Sequence, residues 1–298
     1  MQQALCNNMK TIKLLFILIV TSVIAGCTEI KDREFAPIDE SGYTLVETDF
    51  KALLFSDQEM LWPEGASIGV YGSQMGYNVP YTIKSAGVGR GEASFYGPLV
   101  KGDVAAYYPY SPSFIGDASA MPFTLESEQT YNENPTELYL MHSPTAFAHL
   151  RQGKMEFYYP NGLLCLNLGF ADAVKVKSLR IESELSGISG LGVIKSDGSI
   201  NMTESSKPYV TLDCGEGVLT KAEDGTLTPF YLVLMPGVYD DLKVTVHIDG
   251  VEAPFTCGIP EIAIEKVDAA DARMTTVSVS PADGPDGFVE EEVEFDEE

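Results

Sequence analysis

From Tyr43 onward the chain reads as short apolar runs separated by glycine, proline, asparagine and aspartate. Runs rich in Val, Ile, Tyr, Phe and Thr with such punctuation predict β-strands. Ser67–Tyr71, Val104–Tyr108 and Glu137–Leu140 are examples in the first half. In the second half the alternation is stronger. Leu164, Leu166 and Leu168 are interleaved with Cys165, Asn167 and Gly169, and Leu242, Val244, Val246 and Ile248 with Lys243, Thr245, His247 and Asp249. Val174, Val176, Leu179 and Ile181 form a further run, and Thr275, Val277 and Val279 another. A period of two is expected where one face packs and the other is solvated. No stretch after the N-terminal leader keeps a helical period for three or four turns. Many short strands at this spacing predict all-β sandwiches rather than a parallel sheet. The turn signal Pro160-Asn161-Gly162 suggests an N-terminal domain over 43–160 and a C-terminal domain over 161–280.

The first 42 residues follow another pattern. Lys10 and Lys13 lead into the apolar stretch Leu14–Ile24, which stops at Ala25-Gly26-Cys27. The stretch is too short for a spanning helix, which needs about 20 residues, and has the proportions of a signal-peptide core. Its end resembles a bacterial lipobox. The resemblance implies lipidation of Cys27, cleavage of 1–26 and retention on the outer membrane by acyl chains, each buried methylene contributing ~0.8 kcal/mol. An ordinary secretory signal with a chance cysteine is the alternative. Met9 is the more natural start, which leaves Cys6 in an upstream extension. Residues 27–42, polar and carrying Pro37, read as a tether.

Charge narrows the classes of partner. The 298-residue chain has 44 acidic and 19 basic residues, for a net charge of -25. Nucleic acid and anionic lipid head groups both require a basic surface, so neither is expected. The tail 281–298, mostly Glu and Asp after its prolines and glycines, reads as a disordered acidic segment. Beyond Cys27 only Cys165, Cys214 and Cys257 remain, and the reading for all three is small apolar core residues. A Cys214–Cys257 bridge is the lesser alternative.

Reactive constellations are hard to find. His142, His149 and His247 stand in no ligand array, and there is no Gly-x-Ser-x-Gly elbow. His247 is expected on a solvated strand face, and His149 to be a hydrogen-bonded structural residue. The glycine clusters at 87–91 and 187–192 are not followed by a helix and read as turns. Carboxylates are plentiful, yet nothing selects a pair. No cofactor or metal is expected. Tyr107-Tyr108-Pro109-Tyr110 and Tyr158-Tyr159-Pro160 could form a stacking face, but more often such residues fill cores and prop up loops.

An ordered set of motifs then becomes useful. It comprises Trp62-Pro63-Glu64-Gly65 with Ile68–Gly72, Tyr107–Ser111, Phe157 with Asn161–Leu168, Val176–Ile181 with Ser186-Gly187, Val210–Cys214 and Pro229–Tyr239. Together with the lipobox it resembles the fimbrillin-type lipoproteins of type V pili. The resemblance implies two tandem transthyretin-like β-sandwich domains and no catalysis. It also implies a cell-surface role in pilus anchoring, assembly or adhesion. The implied partners are other pilus subunits joined by β-strand addition, the outer membrane through the lipid, and ligands on host or bacterial surfaces. In that family a protease specific for arginine or lysine removes the first strand of the stalk and tip subunits, and a strand from the next subunit fills the groove. The candidate processing sites here are Arg33 and Lys51. Arg33 lies in the tether, where cutting would release the protein without opening a groove; Lys51 lies further along. The acidic tail is unlike a donor strand for an apolar groove. These departures favour an anchor or accessory subunit over a stalk subunit. A surface lipoprotein that binds glycans for a polysaccharide uptake system is the competing reading, and a secreted hydrolase the third.

Overall fold

The computed structural model describes residues 43–49, 53–54, 58–59, 61–170, 172–220, 227–267 and 274–279. Cys27, Arg33, Lys51 and the tail 281–298 lie outside the described residues.

The architecture is all-β, as expected. Along the first part run β1 (Tyr43–Asp49), the two-residue strands β2 (Leu53–Leu54) and β3 (Gln58–Glu59), β4 (Ser67–Gly72), β5 (Val79–Ile83), β6 (Glu92–Pro98) and β7 (Val104–Tyr108). Then come β8 (Ala120–Leu125), β9 (Glu128–Thr130), helix α1 (Pro135–His142), β10 (Ala146–Arg151) and β11 (Lys154–Glu156). Seven of these strands form one sheet that closes on itself, in the order β1-β11-β10-β7-β4-β5-β6. Only the contact of β1 with β11 is parallel. Inside the ring Trp62 is fully buried, with Phe95, Tyr108 and Phe157 edge-on at centroid distances of 4.8, 5.0 and 5.4 Å. Such edge-to-face contacts suit the ring quadrupoles.

The second part contributes β12 (Gly162–Leu168), β13 (Lys175–Glu182), β14 (Gly190–Lys195), β15 (Ile200–Met202), β16 (Tyr209–Leu219), β17 (Thr228–Leu234), β18 (Gly237–Tyr239), β19 (Lys243–Ile248), β20 (Phe255–Gly258), β21 (Ile262–Ile264) and β22 (Met274–Val279). They form sheets in the orders β17-β12-β22, β20-β19-β13-β16-β9 and β15-β14-β8, with a small β18-β21 pair. β12 is buried on both faces, which suits its near-continuous apolar sequence. β19 keeps the predicted alternation, with Val244 and Val246 buried and His247 exposed.

Two strands from before residue 160 belong to sheets built mainly after it. β8 pairs antiparallel with β14 over six positions, and β9 pairs parallel with β16. Gln129, on β9, ties in a third strand. Its Nε2 donates to Val233 O at 2.7 Å and its Oε1 accepts from Val233 N–H at 2.9 Å, all buried. A single side chain thus satisfies the N–H and C=O of Val233 on β17, which would otherwise be buried without partners.

One local expectation is corrected. Glu137–Leu140, read as a strand, lies in α1. Asn134 caps this helix, its Oδ1 accepting from the N–H groups of Thr136 (3.0 Å) and Glu137 (3.3 Å), and Pro135 stands at the first turn. The cap and the pre-set proline dihedral override the β tendency of a four-residue apolar run.

Candidate functional site: the seat of the first strand

β1 is held from both sides. All seven of its residues pair antiparallel with β6, from Tyr43 opposite Pro98 to Asp49 opposite Glu92. Its last three also pair parallel with β11, Glu47 opposite Lys154, Thr48 opposite Met155 and Asp49 opposite Glu156. The ring of strands therefore closes through β1 alone, and closes weakly on the β11 side.

Alternation sets which side chains enter the ring. Val46 and Thr48 are buried while Glu47 is exposed. Cross-strand neighbours share a face, so Val46 lies beside Phe95, and Thr48 beside Ala93 and Met155, all buried. Thr48 Oγ1 donates to Ala93 O at 3.0 Å, which satisfies its hydroxyl inside the ring. At the other end β6 bends close over an aromatic ring. A Cβ at Gly97 would overlap the Tyr81 side chain, whose hydroxyl donates to Pro98 O at 2.7 Å.

Outside, one ion pair crosses the strand. Lys154 Nζ on β11 lies 3.2 Å from Glu92 Oε1 on β6, and β1 runs between those two strands. Both side chains are substantially exposed, so the strap contributes on the order of 0–1 kcal/mol and weakens with salt. The seat thus combines an apolar floor, a full backbone ladder on one flank, a short ladder on the other and an exposed ionic strap.

Lys51 stands two positions after the last residue of β1, so a cut there separates β1 from the rest of the ring in the covalent chain. Arg33 precedes β1 by ten positions. Val46, Thr48, Glu92 and Lys154 were not singled out from the sequence. The β-rich stretch Tyr43–Thr48 announced a strand there, but its partners depend on pairings up to more than 100 residues apart.

The remaining candidates are structural. Tyr107 and Tyr159 are fully buried and Tyr158 nearly so; among the described residues Tyr77 alone of the aromatics is exposed. His142 Nε2 accepts from Thr130 N–H at 3.1 Å. His149, expected to be hydrogen-bonded, has a buried Nε2 with no partner. Burial first, and then the Arg151 charge, lower its pKa. Cys165, Cys214 and Cys257 are free and buried, and burial pushes their thiols up to about 12, 12 and 11. Cys257 on β20 and Cys214 on β16 are three strand spacings apart, roughly 14 Å. A disulfide needs Cα atoms within about 7 Å, so this pair cannot close.

By sequence, no protein-family model and no curated protein matches the chain. Solved structures do. A candidate cell adhesion protein from Bacteroides ovatus superposes with a TM-score of 0.53 at 12% identity, over 84% of this chain and 96% of that one. The chain has that protein's fold. Looser matches are a candidate cell adhesion protein from Bacteroides uniformis (TM-score 0.46, 14% identity, 81% and 95% covered) and the tip fimbrial protein Mfa3 of Porphyromonas gingivalis (0.36, 8%, 73% and 81%). The resemblance read from the motifs is therefore borne out at the level of fold.

Proposed function

We propose that this chain is a structural, non-enzymatic subunit of a surface fibre or adhesive assembly, first held on the outer membrane through Cys27 and then, after a cut at Lys51 that detaches the lipidated segment together with β1, joined to its neighbour by strand addition at the seat of β1. The observation that carries this reading is the seat itself. One strand closes the ring, its last residue lies two positions before a lysine, and an exposed strap crosses it. Loss of β1 would leave the backbone groups of β6 unpaired along a strip floored by Phe95, Ala93 and Met155. An incoming strand would satisfy those groups and fill the pockets vacated by Val46 and Thr48. The fold of an adhesion-protein candidate and the ordered motifs support the same reading.

Limited trypsin treatment of the lipid-free chain beginning at residue 28, followed by size-exclusion chromatography and intact-mass analysis, tests it. Early cleavage after Lys51 with appearance of stable multimers is the expected result. A chain cut first elsewhere, or cut at Lys51 yet remaining monomeric in the presence of excess uncut protein and of a synthetic Tyr43–Asp49 peptide that does not rebind, contradicts it.

A further inference from the structure

Away from the seat of β1, a cleft of 480 Å³ opens where the loop after β7, strand β8, the end of α1 and the Pro160-Asn161 junction meet. Its size falls in the range of small-molecule sites, roughly 300–1,000 Å³. Its lining has a composition unlike the rest of the molecule. Not one lining residue is charged, in a chain with 63 acidic and basic residues (44 + 19). The walls combine aromatic side chains, Phe114 half-buried and Phe123 and Phe147 buried, with hydroxyl groups, among them Ser113, Thr124 and Thr145.

The outer wall is fixed in place by neighbours outside the cleft. The Tyr71 hydroxyl donates to Phe114 O at 2.7 Å, and Asn78 Nδ2 donates to the carbonyls of Ser111 (2.9 Å) and Phe114 (3.2 Å). The Tyr107 ring stacks on Phe114 at 4.0 Å with an interplanar angle of 21°, and the Tyr107 hydroxyl is itself held by Asn78 Oδ1 at 2.7 Å. A wall ordered in advance costs little to order on binding. The inner side contains Asn161, 1% exposed. Its Nδ2 donates to Ser143 Oγ at 2.9 Å, while its Oδ1 has no donor. That oxygen is closed off from the cleft, so the polar groups offered to a ligand are the serine and threonine hydroxyls of the wall.

We propose that this cleft binds a neutral sugar residue, a hexose or an N-acetylhexosamine. The ring of such a sugar offers apolar C–H faces to phenylalanine and a perimeter of hydroxyls. Serine and threonine hydroxyls both donate and accept, which suits that mixed perimeter. Acidic sugars find no cation in the lining and meet the field of a chain carrying -25. A purely aliphatic ligand would leave the wall hydroxyls without partners. The site is separate from the seat of β1, so it stands or falls independently of strand addition.

Saturation-transfer NMR on the chain beginning at residue 28 tests the assignment. The probes are glucose, galactose, mannose and N-acetylglucosamine, with N-acetylneuraminic acid as the charged control. Transfer to the ring protons of at least one neutral sugar, and none to the charged one, is expected. Thr124→Lys, at an exposed position on β8, and Phe114→Ala should each weaken that binding at least tenfold, with Trp62 emission unchanged as the check on folding. No transfer to any neutral sugar at 20-fold excess over protein, a stronger signal from the charged sugar, or binding unaltered in the Thr124→Lys protein overturns the proposal.

Discussion

Gln129→Met removes the side-chain amide that joins β9 to β17 while keeping much of the side-chain volume. Two buried hydrogen bonds to Val233, 2.7 and 2.9 Å long, disappear. The Val233 N–H and C=O then stay inside the protein without partners, because β12 occupies only the other edge of β17. An unsatisfied buried backbone group costs about 1–3 kcal/mol, so the pair should cost about 2–6 kcal/mol. For a folded unit of this size each kcal/mol lowers Tm by roughly 2–4 °C, which predicts a drop of about 4–24 °C in thermal unfolding followed by circular dichroism. Gln129→Ala should fall further, since it adds a cavity to the same loss. The comparison separates the polar from the packing contribution. A Met variant within about 2 °C of the parent would refute the reasoning, since water or a relaxed β17 would then replace the amide at no cost.

His149 has its pKa lowered by burial, so the unfolded chain binds protons more readily than the folded one below its ordinary value of 6.5. The stabilising contribution is complete above 6.5 and lost as pH falls through the lowered value; Tm should therefore drop more steeply from pH 7 to pH 5 in the parent than in His149→Gln, and parallel curves would contradict this. The three free thiols should stay unreactive toward a disulfide reagent at pH 8 in the native chain beginning at residue 28, and all three should react in guanidinium. Lys154→Met breaks the strap over β1 and should raise the off-rate of a cut first strand by a few-fold at low salt and hardly at all at high salt, read by mass spectrometry of the released peptide.

Period-two alternation in β12, β13 and β19 was legible because those strands bury one or both faces in a continuous core. The all-β class follows from those runs and from the punctuation between them. Helix α1 was missed because its face is not periodic over enough turns; the Asn134-Pro135 start carried the signal instead. The passage of β8 and β9 into the sheets of the second half left no local trace. Gln129 looks like any polar residue of a short strand until Val233, 104 positions away, is beside it. The same holds for the seat. The sequence shows a strand at Tyr43 and a lysine soon after, but the two flanking strands come from Glu92–Pro98 and Lys154–Glu156, and the pairing exists only once the ring closes. The cleft at Phe114 draws its lining from segments spread between Ser111 and Asn161, so its lack of charge becomes visible only in three dimensions.

The central claim is that β1 is a replaceable part of the first sheet. Its most direct test uses the chain's single tryptophan, Trp62, which contacts Phe95, the residue opposite Val46 of β1. A sequence-specific protease site placed at residues 50–52 allows one clean cut. After the cut, a labelled Tyr43–Asp49 peptide added in excess should exchange into the protein. Removal of the original strand should shift Trp62 emission to the red, and the added peptide should restore it. A cut protein that keeps its own strand through prolonged incubation with the peptide, with Trp62 emission unchanged, would contradict the account.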